Sequence, residues 1–363
     1  MEPEIRHKPV RYYEIDLLRF VAALAVVLFH FTFRGYHADN LSPIEYPMLG
    51  EVFKYGYLGV ELFFIISGYV VLMSAQGKTL GQFFISRVVR LYPAFWVACT
   101  FTFIVVRLFG PAVHTTGWSL MLDAPLKGYL LNMTMLHSFF GVRDLDGVYW
   151  TLSTELIFYF LVALLISFKW FEHLVLVMAC WLAYCAFAGP AKEGSPFVTL
   201  LFPRFAPFFI AGMAFYMLQT SQAARWKLYG LLAMAYLLSL RAVRTGLEEA
   251  AIRDFHHPFS LPVALVLITL CFAVFFGIVF RWFRLGQSKW LGWAGSLTYP
   301  IYLLHHNLGY VVLQRFGGRI DKYALLAGIL TMVLLLAYLL HVLVERRFSK
   351  LMGQKLSALL ARA

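Results

Sequence analysis

Residues 57–76 read YLGVELFFIISGYVVLMSAQ, a stretch with one charged side chain, Glu61. About 20 predominantly apolar residues are what an α-helix needs to cross the hydrocarbon core of a bilayer. No water is available there, so every backbone N–H and C=O must bond within the segment, and a helix achieves this. Working outward, comparable runs fall near 15–33, 91–110, 150–168, 171–189, 200–218, 226–240, 260–281, 290–314 and 323–344. The run at 226–240 is short, and that at 290–314 is interrupted by Pro300, His305, His306 and Asn307. The stretch 125–140 is apolar but holds Asn132 and His137, so it reads as a re-entrant or interfacial element. The expected fold is all-α: a polytopic membrane bundle of about ten transmembrane helices.

Composition agrees. Of 363 residues, 61% are hydrophobic and 14% charged, against roughly 25% charged in a soluble domain. Mean hydropathy is +0.72. The formal charge of +12 would suggest nucleic acid in a soluble protein, but here the cations punctuate apolar runs and form no basic stripe. They read as membrane-edge anchors, and no nucleic-acid partner is expected. Cys99, Cys180, Cys185 and Cys271 sit inside apolar runs without CxxC or zinc spacing, so no metal site is expected.

The expected organisation is one membrane domain over 1–350 and a short cytoplasmic tail over 351–363. The N-terminus mixes acids and bases and shows no cleavage site, so it reads as retained. Ten spans put both ends on one side. With that side cytoplasmic, the inner segments carry the excess of Lys and Arg, including Arg6, Lys8, Arg11 and Arg362. Asp123, Asp144, Asp146, Glu193, Glu248, Glu249 and Asp254 then fall outside. So do the long polar stretches 34–56, 111–149 and 241–258, where an acceptor or lid would be handled. The expected location is the cytoplasmic (inner) membrane, with the lipid bilayer as the first partner.

Charged residues inside spans are costly and are functional candidates by default. The first span carries Asp16, Arg19 and His30. Arg19 and His30 share a helix face and lie about 16 Å apart along the axis. Arg19 sits near the cytoplasmic edge and His30 deep in the membrane; the alternatives are an Arg19–Asp16 pair and a core histidine. In the second span, Gly59, Ser67 and Gly68 permit close helix packing. The loop before the third span holds Arg87 and Arg90, three apart, in reach of a phosphorylated ligand or serving as plain anchors. The fourth span opens with Trp150, Thr151, Leu152, Ser153, Thr154 and Glu155. Glu155 could orient His30 across the bundle, or snorkel to headgroups. Late in the chain, Tyr302 precedes His305 and His306; on a regular helix two adjacent histidines cannot both face one cavity.

These pieces together resemble the acyltransferase-3 family of integral membrane acyltransferases. The matching elements run in the family's order: Arg19-x10-His30; Phe63 to Tyr69; Arg87-x2-Arg90 before Leu-Tyr-Pro; Trp150 to Glu155; Tyr302 to His305; and His341-x3-Glu345-Arg346. Tyr69 stands where the family often has Phe, and no appended esterase-like domain is expected. The resemblance implies transfer of an acyl group, usually acetyl, from coenzyme A to a hydroxyl of an extracytoplasmic glycan or glycolipid. Acyl-CoA would be the donor substrate, with no tightly bound cofactor; a homodimer or a partner transferase is left open. It implies catalytic roles for His30, Arg19 and Glu155, and donor binding by Arg87, Arg90, Ser67 and Tyr69. Asp16, Trp150, Ser153, Tyr302 and His305 would line the site. Histidine can act as general base or as transient acyl carrier. The rival class is a proton-coupled transporter or flippase of a lipid-linked or small polar substrate. Transporters often show two related halves, and none is visible here.

Overall fold

The computed structural model describes residues 12–112, 115, 118–189, 195–221, 223–251, 255–286 and 288–361. Arg6, Lys8, Arg11, Glu193, Asp254 and Arg362 lie outside the described residues. Among those described there is no β-strand, and nine helical stretches are long and apolar enough to cross a membrane. The architecture is an all-α polytopic bundle.

The principal helices are α1 (Tyr13–Phe29), α2 (Gly59–Ala75), α3 (Leu80–Phe109), α4 (Trp150–Ser167), α5 (Leu174–Ala188) and α6 (Ala206–Thr220). There follow α7 (Arg225–Glu249), α8 (Leu261–Val279), α9 (Lys289–Leu304), α10 (His306–Phe316), α11 (Lys322–Leu340) and α12 (Arg346–Leu360). Three expectations are corrected. Arg87 and Arg90 lie within the 30-residue α3, not in a loop. Thr79 starts that helix early: its Oγ accepts from Gln82 N–H, and Gln82 Oε1 accepts from Thr79 N–H, a closed capping box. The seventh span is a full 25 residues, so 241–249 is helix rather than outer loop. The expected span 290–314 is two helices, α9 and α10, broken at His305.

That break has a local cause. Pro300 removes one backbone donor from α9. About two turns on, Asn307 N–H donates to Asp146 Oδ2 at 3.2 Å, so a side chain from a distant loop inserts into the helical ladder. A second irregularity follows α1, where His30–Arg34 form a π-helical turn before the chain leaves the bundle at His37. The stretch 125–140 forms the seven-residue helix Leu126–Asn132 and a 3₁₀ turn at His137–Phe140. Seven residues reach about 10 Å, far short of a crossing.

Helix packing rests on close backbone approach, the main source of cohesion where the surroundings are as apolar as the side chains. A methyl at Gly68 of α2 would strike the Phe209 carbonyl of α6, and one at Gly212 of α6 would strike the Ile65 carbonyl of α2. The two glycines form a reciprocal contact. α11 continues through a π turn at His341–Glu345 into α12, which lies along the first half of α3. Gly81 and Val89 of α3 meet Leu360 and Gly353 of α12. The helix thus runs through the 350/351 boundary and stays docked to the bundle.

Candidate active site

Five helices converge on a cavity of about 100 Å³. α1 brings Arg19; α2 brings Phe63 and Ser67; α3 brings Arg87 and Arg90; α4 brings Thr151, Glu155 and Tyr159; α9 brings Tyr299 and Tyr302. Glu155 Oε1 accepts hydrogen bonds from Ser67 Oγ at 2.8 Å and from the Tyr159 hydroxyl at 2.6 Å. The Arg87 guanidinium lies 5.5 Å from the Phe83 ring centroid and 5.4 Å from that of Tyr159. The aromatic rings hold it in place without consuming its donors. Three guanidinium groups face one carboxylate, so the cavity has an excess of positive charge and forked donors suited to phosphate oxygens. In the turn between α2 and α3, burial and the nearby Arg87 pull the Lys78 ammonium below its ordinary pKa.

The far end of the cavity is closed by Tyr302, whose hydroxyl lies 2.7 Å from Thr151 Oγ and donates to the Val148 carbonyl at 3.2 Å. Beyond it stands a cluster of three histidines. The His305 ring centroid is 5.8 Å from that of Tyr302. His30 is 5.3 Å from His305 and 4.5 Å from His306 by the same measure. A regular helix would turn one of the adjacent histidines away. The break at His305 turns both toward His30, which corrects the expectation from helical spacing.

Hydrogen bonds fix the tautomers. Tyr310 donates its hydroxyl proton to the carbonyl of His30 at 2.8 Å, and the same oxygen is 3.3 Å from His30 Nδ1. With its proton committed, that oxygen can only accept, so Nδ1 carries the hydrogen. The lone pair of His30 is therefore on Nε2, which has no hydrogen-bond partner among the described residues. His305 Nδ1 faces the carbonyls of Tyr302 at 3.0 Å and Ile301 at 3.2 Å, so its lone pair is also on Nε2, buried and unpartnered. Asn307 donates through Nδ2 to the carbonyls of Leu145 and Met121. Its Oδ1 is thus an acceptor, and His306 Nδ1–H donates to it at 2.7 Å.

The carboxylate of this cluster is Asp146. It is fully buried, with Oδ1 3.3 Å from His306 Nδ1, and it accepts from the N–H groups of Asn307 and Val148. Burial pushes its carboxyl up to about 7, although those two N–H groups oppose the shift. A methyl on the adjoining Gly147 would run into the His306 ring.

Of the residues singled out in the sequence, Arg19, Ser67, Arg87, Arg90, Glu155 and Tyr302 meet in the cavity. His30 and His305 meet in the cluster. Glu155 bonds to Ser67 and Tyr159 rather than to His30. Asp16 packs against Gly295 of α9. Tyr69, two residues from Ser67, points the other way and donates to Gln219. Trp150 packs against Phe64 and Phe205, and the Ser153 hydroxyl lies 3.0 Å from that of Ser138. Sequence reasoning missed Asp146 as a site group, along with Tyr159 and Tyr310. The signal for Asp146 was present, since it lies four residues before Trp150, but it read as one more outer-loop acid.

A family model described as an acyltransferase domain matches residues 12–343. Nodulation protein 10 of Rhizobium leguminosarum bv. viciae is 28% identical over 196 residues, covering 49% of this chain and 51% of its own. Acyltransferase MdmB of Streptomyces mycarofaciens is 30% identical over 200 residues, covering 54% and 49%. BcsY of Komagataeibacter xylinus, provisionally named a membrane-bound transacylase, is 26% identical over 352 residues, covering 92% and 82%. The chain spans about half the length of the first two of these relatives. No solved structure matches.

Proposed function

The chain belongs to the acyltransferase-3 family, and from that membership we propose that it moves an acyl group, in the simplest case acetyl, from acyl-coenzyme A to a hydroxyl of a glycan or glycolipid on the opposite side of the membrane. Two of its relatives carry acyltransferase or transacylase in their names, which supports the reaction class. The observation that carries the reading is the adjacency of the arginine cavity and the histidine cluster across Tyr302.

In this reading Arg87, Arg90 and Arg19 hold the donor's phosphates, and the pantetheine arm runs along the cavity toward Tyr302. The acceptor hydroxyl gives its proton to His30 Nε2 as its oxygen attacks the thioester carbonyl. The tetrahedral intermediate then collapses with cleavage of the C–S bond, and the departing thiolate recovers the proton from the imidazolium. His30 ends as it began. The Tyr310 oxygen at Nδ1 holds the ring in the tautomer that the first step requires. Glu155 offsets part of the arginine charge and keeps Ser67 and Tyr159 in place.

The test is a comparison of envelope glycans by mass spectrometry in cells with and without the protein, with His30→Ala as control. Loss of one acyl increment in both the deletion and the variant is expected. An unchanged glycan profile together with absence of acetyl-CoA binding to the purified protein would overturn the reading.

A further inference from the structure

We propose that α12 is a docking surface for anionic phospholipid headgroups. The proposal does not depend on the acyl-transfer reading above.

Helix lengths place α12 at the edge of the bilayer. The 19 residues of α11 reach about 28 Å, nearly the whole of a hydrocarbon core about 30 Å thick. α12 follows after one π turn and adds about 22 Å, more than the core has left. Trp290 and Trp293, both exposed near the start of α9, mark the same level, since tryptophan gathers at the membrane–water interface. The Arg346 guanidinium stands 5.8 Å from the Trp293 ring centroid, so α12 begins in the interfacial layer.

One stripe of α12 is already taken. Ser349, Met352, Gly353 and Leu356 are half-buried, at i, i+3, i+4 and i+7, and this stripe lies on α3. Phe348, Leu351 and Leu359 line one remaining flank and are 57%, 54% and 61% exposed. Arg346, Arg347 and Lys350 line the other, and Lys355 stands within the apolar flank. All four cations are exposed. α12 carries no carboxylate, and the preceding Glu345 is engaged by His341 at 2.6 Å.

Exposed apolar side chains beside cations without acids, at the depth of headgroups, match acyl chains beneath phosphates. Standing upright, α12 would carry Leu359 about 20 Å beyond Arg346 and into water. Leaning into the interface covers the apolar flank and brings the cations to the phosphates. A neutral lipid surface would cover the apolar flank but leave the cations without a counter-charge. The surface therefore favours anionic headgroups.

The test uses the full chain in nanodiscs of phosphatidylcholine mixed with phosphatidylglycerol. Phospholipid that stays on the protein after extraction into mild detergent is counted by mass spectrometry. Phosphatidylglycerol should be enriched over its share of the disc, and high salt should abolish the enrichment by screening. The combined variant Arg347→Gln, Lys350→Gln, Lys355→Gln should lower the enrichment at least fivefold, about the worth of one cation near an anionic surface. Arg347→Lys alone should keep it. A fluorophore on Leu359→Cys, with the native cysteines replaced by serine, should be quenched by lipids brominated in their acyl chains. That quenching should be stronger when the disc holds phosphatidylglycerol. No enrichment in the wild type, enrichment that survives high salt, equal enrichment in the combined variant, or a Leu359 site that brominated lipid does not quench would overturn the proposal. So would a combined variant that keeps its lipid and loses acetyl-CoA binding in calorimetry, since the cations would then serve the donor's phosphates.

Discussion

Tyr310 touches His30 twice: its hydroxyl donates to the His30 carbonyl at 2.8 Å, and the same oxygen lies 3.3 Å from the ring Nδ1. The pair is 280 residues apart in sequence. One phenol thus satisfies a carbonyl in the π turn and sets which ring nitrogen can take a proton. Tyr310→Phe removes the acceptor while keeping the ring. Turnover should fall about 10- to 100-fold, as for other groups that orient a functional histidine. KM for acetyl-CoA should be unchanged, because Tyr310 lies outside the arginine cavity. A change confined to KM would show that the contact serves only packing.

Arg87 and Arg90 should not tolerate lysine. A guanidinium can make two parallel bonds to a phosphate where an ammonium acts as a point charge. Arg87→Lys and Arg90→Lys should each weaken acetyl-CoA binding about tenfold, equivalent to ~1.4 kcal/mol. Calorimetry in detergent reads this directly, and equal affinities would return both residues to membrane anchors.

Gly147 leaves no room for a side chain beside His306. Gly147→Ala should displace that ring or the loop holding Asp146, at a cost of about 1–3 kcal/mol. Thermal unfolding in detergent should show the loss together with a fall in activity. A variant with wild-type stability and turnover would mean that the loop yields freely.

Asp146 gives the protein a stability that depends on pH. Its carboxyl has an ordinary pKa of 3.8 and is raised by burial to about 7 in the folded chain. The native state therefore holds the proton more tightly than the unfolded state does. That contribution is complete below the ordinary value and drains away as pH rises through about 7. Melting temperature should fall between these limits in the wild type and fall less in Asp146→Asn. Parallel pH profiles for the two proteins would contradict the assignment.

Lys78 and Lys127 should label from opposite faces. Lys78 lies between α2 and α3, and Lys127 in the short helix after α3, so one full crossing separates them. Cysteines at the two positions, in a background with the native cysteines replaced by serine, should react with an impermeant thiol probe from different sides of sealed vesicles. Reaction of both from one side would break the topology.

The bundle was legible because hydropathy alone dictates where a chain can cross lipid, and interruptions by Pro300 and Asn307 marked a crossing that is not a single helix. Arg19, Arg87, Arg90 and Glu155 were legible because charge in an apolar run needs a reason, and the four share a cavity. The histidine cluster was only half legible. Its geometry depends on two departures from regular helix, the π turn at His30 and the break at His305, and each changes which side chains share a face. Arithmetic at 100° per residue fails at such points, so His306 was set aside and Tyr310 was not found. The family resemblance placed Ser67 and Tyr69 at one donor site, but two residues along a helix turn the side chains to different neighbours.

The docking of α12 along α3 sets an order of events during synthesis. Leu360 packs beside Gly81, roughly 280 residues earlier in the chain; at about 5–20 residues per second the first half of α3 waits tens of seconds for that neighbour. Arg87 and Arg90 emerge in that interval beside an uncovered helix flank. A nascent chain stalled before residue 346 would hold most of its crossings in the bilayer and still lack the brace along the segment that carries both arginines.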